Sequence, residues 1–234
     1  MTKADKLLLR GDYEEALHAF ESAAAKDQTD DFRIGDRMSV AITLVLLERR
    51  EEAIARLGQL SNEAFASVSL HDIYIGVAHW YAGRPDAAVS AWEQARKRGY
   101  TGHQGCDSLF MLAFASAKQP DVVAWSHVQS LMTKRLKRVP DCYISFHICQ
   151  FLIGSITRDV FREWCGRELN GRNIKARREN RLLLCDFYCA IDALRKGSLE
   201  EYVDLIRAVA TRKGIDEIST EWVLARLELQ ALDH

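Results

Sequence analysis

The strongest constraint on the fold is a motif that returns about every 36 residues. Counted from a glycine, it places alanine at position +5, an aromatic residue at +9 and alanine at +12. Two copies match in full, and their glycines, Gly11 and Gly83, are 72 residues apart, twice that period. The remaining residues of these copies are Ala16, Phe20 and Ala23, and Ala88, Trp92 and Ala95. A period of this length is typical of helical-repeat proteins.

Weaker copies fill the rest of the chain. They begin at Glu48, Gln119 and Gly197, with small or apolar residues at the same offsets. These residues are Ala53, Leu57 and Leu60; Ala124, Val128 and Leu131; and Tyr202, Ile206 and Val209. A copy from Gly154 fits poorly, because acidic residues stand at +5 and +9. The sequence therefore predicts about six repeats.

Each repeat is expected to be a hairpin of two helices. The residues at +5, +9 and +12 lie on one face of the second helix, and the glycine ends the first helix in a left-handed conformation. One hairpin cannot bury its apolar faces alone, so the copies stack. Pro85, Pro120 and Pro140, each followed by aspartate, are expected in first helical turns. No run shows the alternation of a strand. We therefore predict an all-α solenoid of about 13 helices, forming a single repeat domain over residues 1–234.

The two full copies resemble the second-helix signature of the tetratricopeptide repeat (TPR). Ile75 and Gly76 also stand where that repeat carries Leu-Gly on its first helix. Asp72 and His79 depart from the pattern, because aromatic residues are usual there, and the spacing of 35–37 residues exceeds the standard 34. The resemblance covers regular repeats over residues 1–137 and loosens over 138–234. It implies a TPR-like scaffold whose concave side, lined by first helices, binds a peptide or protein.

Charge is balanced overall but unevenly distributed. The chain has 32 Lys and Arg against 33 Asp and Glu, a net charge of −1, which gives no overall attraction to nucleic acid or anionic membrane. Residues 1–78 carry nine basic and fourteen acidic residues, a net of −5, whereas residues 96–181 carry sixteen and seven, a net of +9. A basic patch of this kind is expected to steer an acidic partner.

Two basic clusters dominate the stretch 134–181, and they are the first candidate binding residues. The first cluster is Lys134, Arg135, Lys137 and Arg138; the second is Arg172, Lys175, Arg177, Arg178 and Arg181. The alternative for each is an ordinary solvated helix face. Trp80 and Tyr81 are candidate anchors on a first helix, since Trp, Tyr and Arg are common at binding hot spots, although aromatics at helical spacing are more often core. His103 lies at the tip of a glycine-rich stretch, 99–105, and is a candidate contact residue. The alternative is that this stretch is only an inter-repeat loop.

No motif indicates catalysis. Phosphate-binding glycine loops, His-Glu-x-x-His and Gly-x-Ser-x-Gly are absent from the sequence, so we expect no enzyme activity and no cofactor. Cys185 and Cys189 are four residues apart, and Cys142, His147 and Cys149 are close in sequence, which leaves a zinc site as the alternative to buried core cysteines. Without a Cys-x-x-Cys pair we expect no metal. The sparse cysteines favour a reducing cytoplasm. No apolar stretch approaches the roughly 20 residues of a membrane-spanning helix, so we expect no membrane span.

Three function classes follow, with a non-catalytic protein-binding module expected first. The others are a nucleic-acid binder using residues 134–181 and an enzyme or metalloprotein built on the Cys and His residues. Small stand-alone TPR-like chains resemble bacterial immunity proteins, which occlude a toxin, and adaptors or chaperones, which present a client protein. The resemblance favours immunity. A homodimer through the N-terminal hairpin is a further hypothesis, because its apolar residues need a cover; these are Leu7, Leu8, Leu17 and Phe20.

Overall fold

A computed structural model describes residues 1–26, 30–60, 68–98, 105–167, 174–215 and 218–232. Within these ranges the chain forms helices and no strands, which confirms the all-α helical-repeat prediction. The helices are α1 (Lys3–Arg10), α2 (Tyr13–Ala24), α3 (Asp30–Leu46), α4 (Arg50–Leu60), α5 (Val68–Tyr81), α6 (Pro85–Lys97), α7 (Asp107–Lys118), α8 (Trp125–Leu136), α9 (Ile144–Leu152), α10 (Arg158–Gly166), α11 (Ile174–Arg195), α12 (Leu199–Ala210) and α13 (Thr220–Leu232). No described helix combines the length and apolar character needed to cross a membrane.

One turn geometry recurs at five of the six predicted repeat starts. The residue at each of these starts has a φ between 61° and 89°. In each turn the next amide donates to a carbonyl five positions earlier, over 2.8–3.0 Å, which is the Schellman closure of a helix C-terminus. These residues are Gly11, Glu48, Gly83, Gly154 and Gly197. The sequence period therefore marks the joints of the helix hairpins.

The stripe on the second helices is buried as predicted in four copies. Residues at +5 and +9 are 0–2% exposed in α2, α4, α6 and α12. They are Ala16 and Phe20, Ala53 and Leu57, Ala88 and Trp92, and Tyr202 and Ile206. Each second helix begins two residues after the left-handed residue, which keeps the register constant.

The fourth and fifth copies depart from this register. Helix α8 begins at Trp125, six residues after Gln119 rather than two, so Ala124 is exposed and the buried residues are Val128 and Met132. Helix α10 begins four residues after Gly154, which moves its buried stripe by two positions, to Phe161 and Cys165. The acidic residues at +5 and +9 therefore face away from the core.

The prolines are predicted correctly in one case of three. Pro85 occupies the first turn of α6. Pro120 and Pro140 precede their helices by five and four residues, because a turn separates each proline from the helix that follows.

The chain divides into two compact units, residues 1–100 and 101–234. In the first, helices α1 to α6 pack each on the next. A close contact holds α5 to α6: Trp92 Nε1 donates to the Ile73 carbonyl over 3.0 Å, and Gly76 leaves room for the indole, since a methyl group there would lie 2.2 Å from Nε1. In the second unit, α11 is central and packs against α7, α9, α10, α12 and α13. That both units form one repeat domain stays a prediction.

Candidate protein-binding surface

The first basic cluster, called the α8 cluster below, lies at the C-terminal end of α8. Lys134, Lys137 and Arg138 are exposed, whereas Arg135 is half-buried. Its guanidinium reaches the thiol of Cys106, and together with the hydrogen bond from Cys149, which has the larger effect, this contact lowers the pKa of Cys106. Arg135 therefore has a structural role beside its predicted binding role.

The second basic cluster, the α11 cluster, occupies the first two turns of α11. Lys175, Arg177 and Arg178 are exposed. Arg181 differs, because it ties α11 to α10: its guanidinium lies 4.7 Å from the centre of the Trp164 ring and donates to the Trp164 carbonyl over 3.3 Å. Burial lowers the pKa of Arg181. The fifth member predicted from sequence, Arg172, lies outside the described residues.

Five exposed cations of the two clusters have no side-chain partner in the part of the chain that the structure describes. They are Lys134, Lys137, Arg138, Lys175 and Arg178. Such side chains give a positive surface that no internal pairing neutralises.

The acidic residues of the first unit are used differently, because six of the fourteen in residues 1–78 form ion pairs within the part of the unit that the structure describes. Pairs with nitrogen–oxygen distances of 2.7–3.9 Å join Asp12 to Arg10, Glu21 to Arg56, Glu48 to Arg50, Glu52 to Arg49 and Asp72 to Arg98, and Glu51 pairs with Arg84. These pairs neutralise part of the acidic charge of residues 1–78, whereas the five exposed cations of the two clusters have no side-chain partner among the described residues.

The start of α11 carries cations where the helix dipole favours acids; α8 and α9 also lack an acid in their first turns, but they carry no Lys or Arg there. Helix α12 carries Glu200 and Glu201 in its first turn and α10 carries Asp159, as the helix dipole favours. Helix α11 has no acid there and carries Lys175 and Arg177 instead. Cations at a helix N-terminus do not stabilise the helix, which favours a binding role for them over a folding role.

Sequence reasoning missed Trp164 and Tyr143 as functional candidates and considered His147 only as a metal ligand. The rings of His147 on α9 and Trp164 on α10 have centroids 4.0 Å apart and planes inclined by 33°. His147 Nε2 is 2.8 Å from the Asp141 carbonyl oxygen, and burial lowers the pKa of the imidazole. Tyr143 precedes His147 by four residues and is 43% exposed. Tyr143 is the extended residue just before α9, close to His147 along the chain; the contact of His147 with Trp164 joins two helices and was not in the sequence.

The candidate binding residues Trp80 and Tyr81 of the first unit differ in exposure. Trp80 is only 8% exposed and stacks on Trp92 with ring centroids 5.9 Å apart, so the core alternative holds for it and its role as an exposed anchor is corrected. Tyr81 is half-buried and keeps some surface. His103 lies outside the described residues.

The N-terminal hairpin needs no external cover. Its four apolar side chains are buried within the first unit, with exposures of 1–8%; they are Leu7, Leu8, Leu17 and Phe20. The reason given for a homodimer at this place therefore falls away.

The cysteines behave as core residues. All six are free thiols, and only Cys142 among them is exposed. A hydrogen bond with Cys165, together with burial, raises the pKa of Cys185 to about 12, so this thiol is protonated at neutral pH. Among the described residues no group of three His, Cys, Asp or Glu side chains is placed to hold a metal ion.

No protein-family model matches the chain, and no curated protein is similar to it.

Proposed function

We propose that the chain is a non-catalytic module that binds another protein through the basic clusters of its second unit. The observation that carries the proposal is the set of five exposed cations that have no side-chain partner among the described residues, in a stretch, 96–181, whose net charge is +9. Charges arranged in this way increase the association rate with an acidic surface and add selectivity. The TPR-like repeats support the same class, because stacked helix hairpins present extended surfaces for binding.

Within that class we propose a bacterial immunity protein that occludes a toxin, acting in the cytoplasm. The support is the resemblance of the repeats to TPR-like chains that consist of a binding surface alone, which is an argument from fold. The alternative is a TPR adaptor or chaperone that uses the same surface for a client protein. The two differ in outcome, since an immunity protein abolishes its partner's activity and an adaptor leaves the partner active.

A second candidate function is binding of single-stranded nucleic acid. The observation that favours it is the position of Tyr143, His147 and Trp164 beside the α11 cluster, because aromatic side chains next to cations form stacking sites for bases. Against it stands the net charge of −1.

The test is native mass spectrometry of the tagged full chain recovered from its source cells at moderate salt. We expect one protein companion at fixed stoichiometry. Charge reversal in either cluster, Lys134→Glu with Lys137→Glu or Lys175→Glu with Arg178→Glu, should reduce its recovery at least tenfold for the cluster in contact. The matched control is Lys3→Glu with Lys213→Glu, which changes the charge equally at two other exposed lysines.

Recovery of the bare chain would contradict the proposal, and recovery of RNA or DNA would establish the second candidate instead. If a protein is recovered, adding the chain to it at a one-to-one ratio separates the subclasses. Loss of the companion's enzymatic or toxic activity supports immunity, whereas unchanged activity supports an adaptor.

A further inference from the structure

Side chains of α9, α10 and α11 meet at the Trp164 ring, and we call these side chains, with their exposed neighbours along the chain, the aromatic–cationic strip. Its members are Tyr143, His147, Trp164, Arg177, Arg178 and Arg181. Neighbouring contacts link it: His147 stacks on Trp164 at 4.0 Å, and Arg181 lies over the same ring at 4.7 Å. On α11, residues 174, 177, 178 and 181 follow the i, i+3, i+4, i+7 spacing of one helix face.

The strip has exposed aromatic, apolar and cationic members. Tyr143, just before α9, is 43% exposed, and Ile174, which shares the α11 face, is 45% exposed. Arg177 and Arg178 are exposed beside Ile174. Exposed apolar and aromatic surface next to arginine is the composition found at the centres of protein interfaces.

The middle of the strip is held in place before any partner arrives. Arg181 is fixed by the Trp164 ring and by hydrogen bonds to the carbonyls of Trp164 and Arg167, at 3.3 and 3.5 Å. His147 is fixed by the Asp141 carbonyl at 2.8 Å. Side chains already restricted lose little conformational entropy on binding, which raises affinity.

The contacts favour a protein segment over a nucleic acid. A base would have to stack on Trp164, but His147 and Arg181 already lie against that ring, so one of them would have to be displaced. A peptide needs no free ring face: a carboxylate can pair with Arg178, which has no partner among the described residues, while an apolar side chain packs on Tyr143.

We propose that the aromatic–cationic strip docks an acidic segment of the partner protein, with carboxylates on the arginines of α11 and an aromatic or apolar residue against Tyr143. This inference rests on the proposed protein-binding function and names the partner's recognition chemistry. Its arginine contacts are charge-assisted and can be bidentate.

The test is site-specific photocrosslinking in the source cells. Tyr143 of the full chain is replaced by p-benzoylphenylalanine, and the crosslinked product is purified under denaturing conditions and sequenced. Leu199, which is 60% exposed on α12, is the matched control position in the same unit. Circular dichroism and thermal melting identical to the unmodified chain establish that each variant folds.

We expect a crosslink at position 143 to a peptide rich in Asp and Glu that contains an aromatic or apolar residue. Arg178→Glu should reduce the yield at least tenfold, and Lys213→Glu should leave it unchanged. The inference is overturned by a crosslink to RNA, by a basic peptide, by a yield insensitive to Arg178→Glu, or by no crosslink at 143. Native mass spectrometry tests the proposed function separately. A protein companion without a crosslink at position 143 would support the proposed function and contradict only the role of the strip.

Discussion

Glu48 occupies a backbone conformation that the other turns of its kind give to glycine. Its φ is 61°, and the turn closes with the Arg49 amide donating to the Leu44 carbonyl over 2.9 Å. A residue with a Cβ pays about 1–2 kcal/mol in this region because of the clash with the following carbonyl. The side chain offers little in return, since Glu48 pairs with Arg50 only at 3.8 Å.

Replacing Glu48 by glycine should therefore stabilise the protein. We expect the free energy of unfolding to rise by about 0.5–1 kcal/mol, because relief of the left-handed strain exceeds the larger chain entropy of glycine in the unfolded state. Denaturant unfolding followed by circular dichroism measures it. Glu48→Ala is the control and should give no gain, as it keeps the Cβ; equal stability of the two variants would contradict the strain argument.

Position 76 requires glycine because of a neighbouring side chain and not because of its backbone conformation. A methyl group at this position would lie 2.2 Å from Trp92 Nε1, so Gly76→Ala must displace the indole and its hydrogen bond to the Ile73 carbonyl. Overpacking and the lost hydrogen bond together should lower the free energy of unfolding by about 3 kcal/mol.

Gly58 in the last turn of α4 is the matched control for this measurement. Nothing lies within 4 Å of a methyl group placed there, so Gly58→Ala should stabilise by about 0.5–1 kcal/mol through helix propensity alone. A destabilisation of similar size in both variants would show that the Trp92 contact is not the cause.

At the scale of the element, the C-terminal end of α11 depends on Asp192. The residue is 3% exposed and accepts hydrogen bonds from Arg195 and Lys196 at 2.8 and 2.7 Å, and Arg158 of α10 lies 3.5 Å away. Burial by itself would raise the pKa of Asp192, but the hydrogen bonds from Lys196 and Arg195 outweigh it and hold the pKa below its usual value.

This pKa shift predicts a loss of stability in acid. Because the folded state favours the ionised carboxylate, its contribution is present above the unfolded-state pKa of about 3.9 and is lost as the pH falls through the lower folded-state value. Asp192→Asn should lower the free energy of unfolding by about 2 kcal/mol at pH 7. The difference in free energy of unfolding between the unmodified protein and Asp192→Asn should shrink towards pH 3. A difference that stays constant with pH would contradict the lowered pKa of Asp192.

Helices α8 and α10 show where element prediction from the sequence stops. The period placed the joint before α10 correctly, because the left-handed Gly154 is a local signal, but Gln119 at the start of the α8 copy has a φ of −141° and is not left-handed. The period missed the extra turn residues before Trp125 and Arg158, since an added turn changes no composition and is decided by where Val128 and Phe161 find space in the core.

At the scale of the whole molecule, the division into two compact units predicts that stability losses from variants in different units are additive. Gly76 belongs to residues 1–100 and contacts Trp92 there, whereas Asp192 belongs to residues 101–234 and binds Arg158, Arg195 and Lys196 there. The losses of free energy from Gly76→Ala and Asp192→Asn should therefore add within about 0.5 kcal/mol in the double variant. Denaturant unfolding at pH 7 of the unmodified protein, the two single variants and the double variant measures the interaction energy. A value above about 0.5 kcal/mol would show that the two positions are coupled.

The sequence by itself determined the repeat period, the hairpin joints, most of the buried stripe and the two basic clusters. These follow from helix periodicity and from the left-handed turn, which depend on residues close together in the chain. The tertiary structure alone decided which charges and rings are free: it joined Arg181 to Trp164, left Arg178 exposed, and buried Trp80 against Trp92. Pairing and burial depend on residues far apart in sequence, so no spacing along the chain could distinguish them.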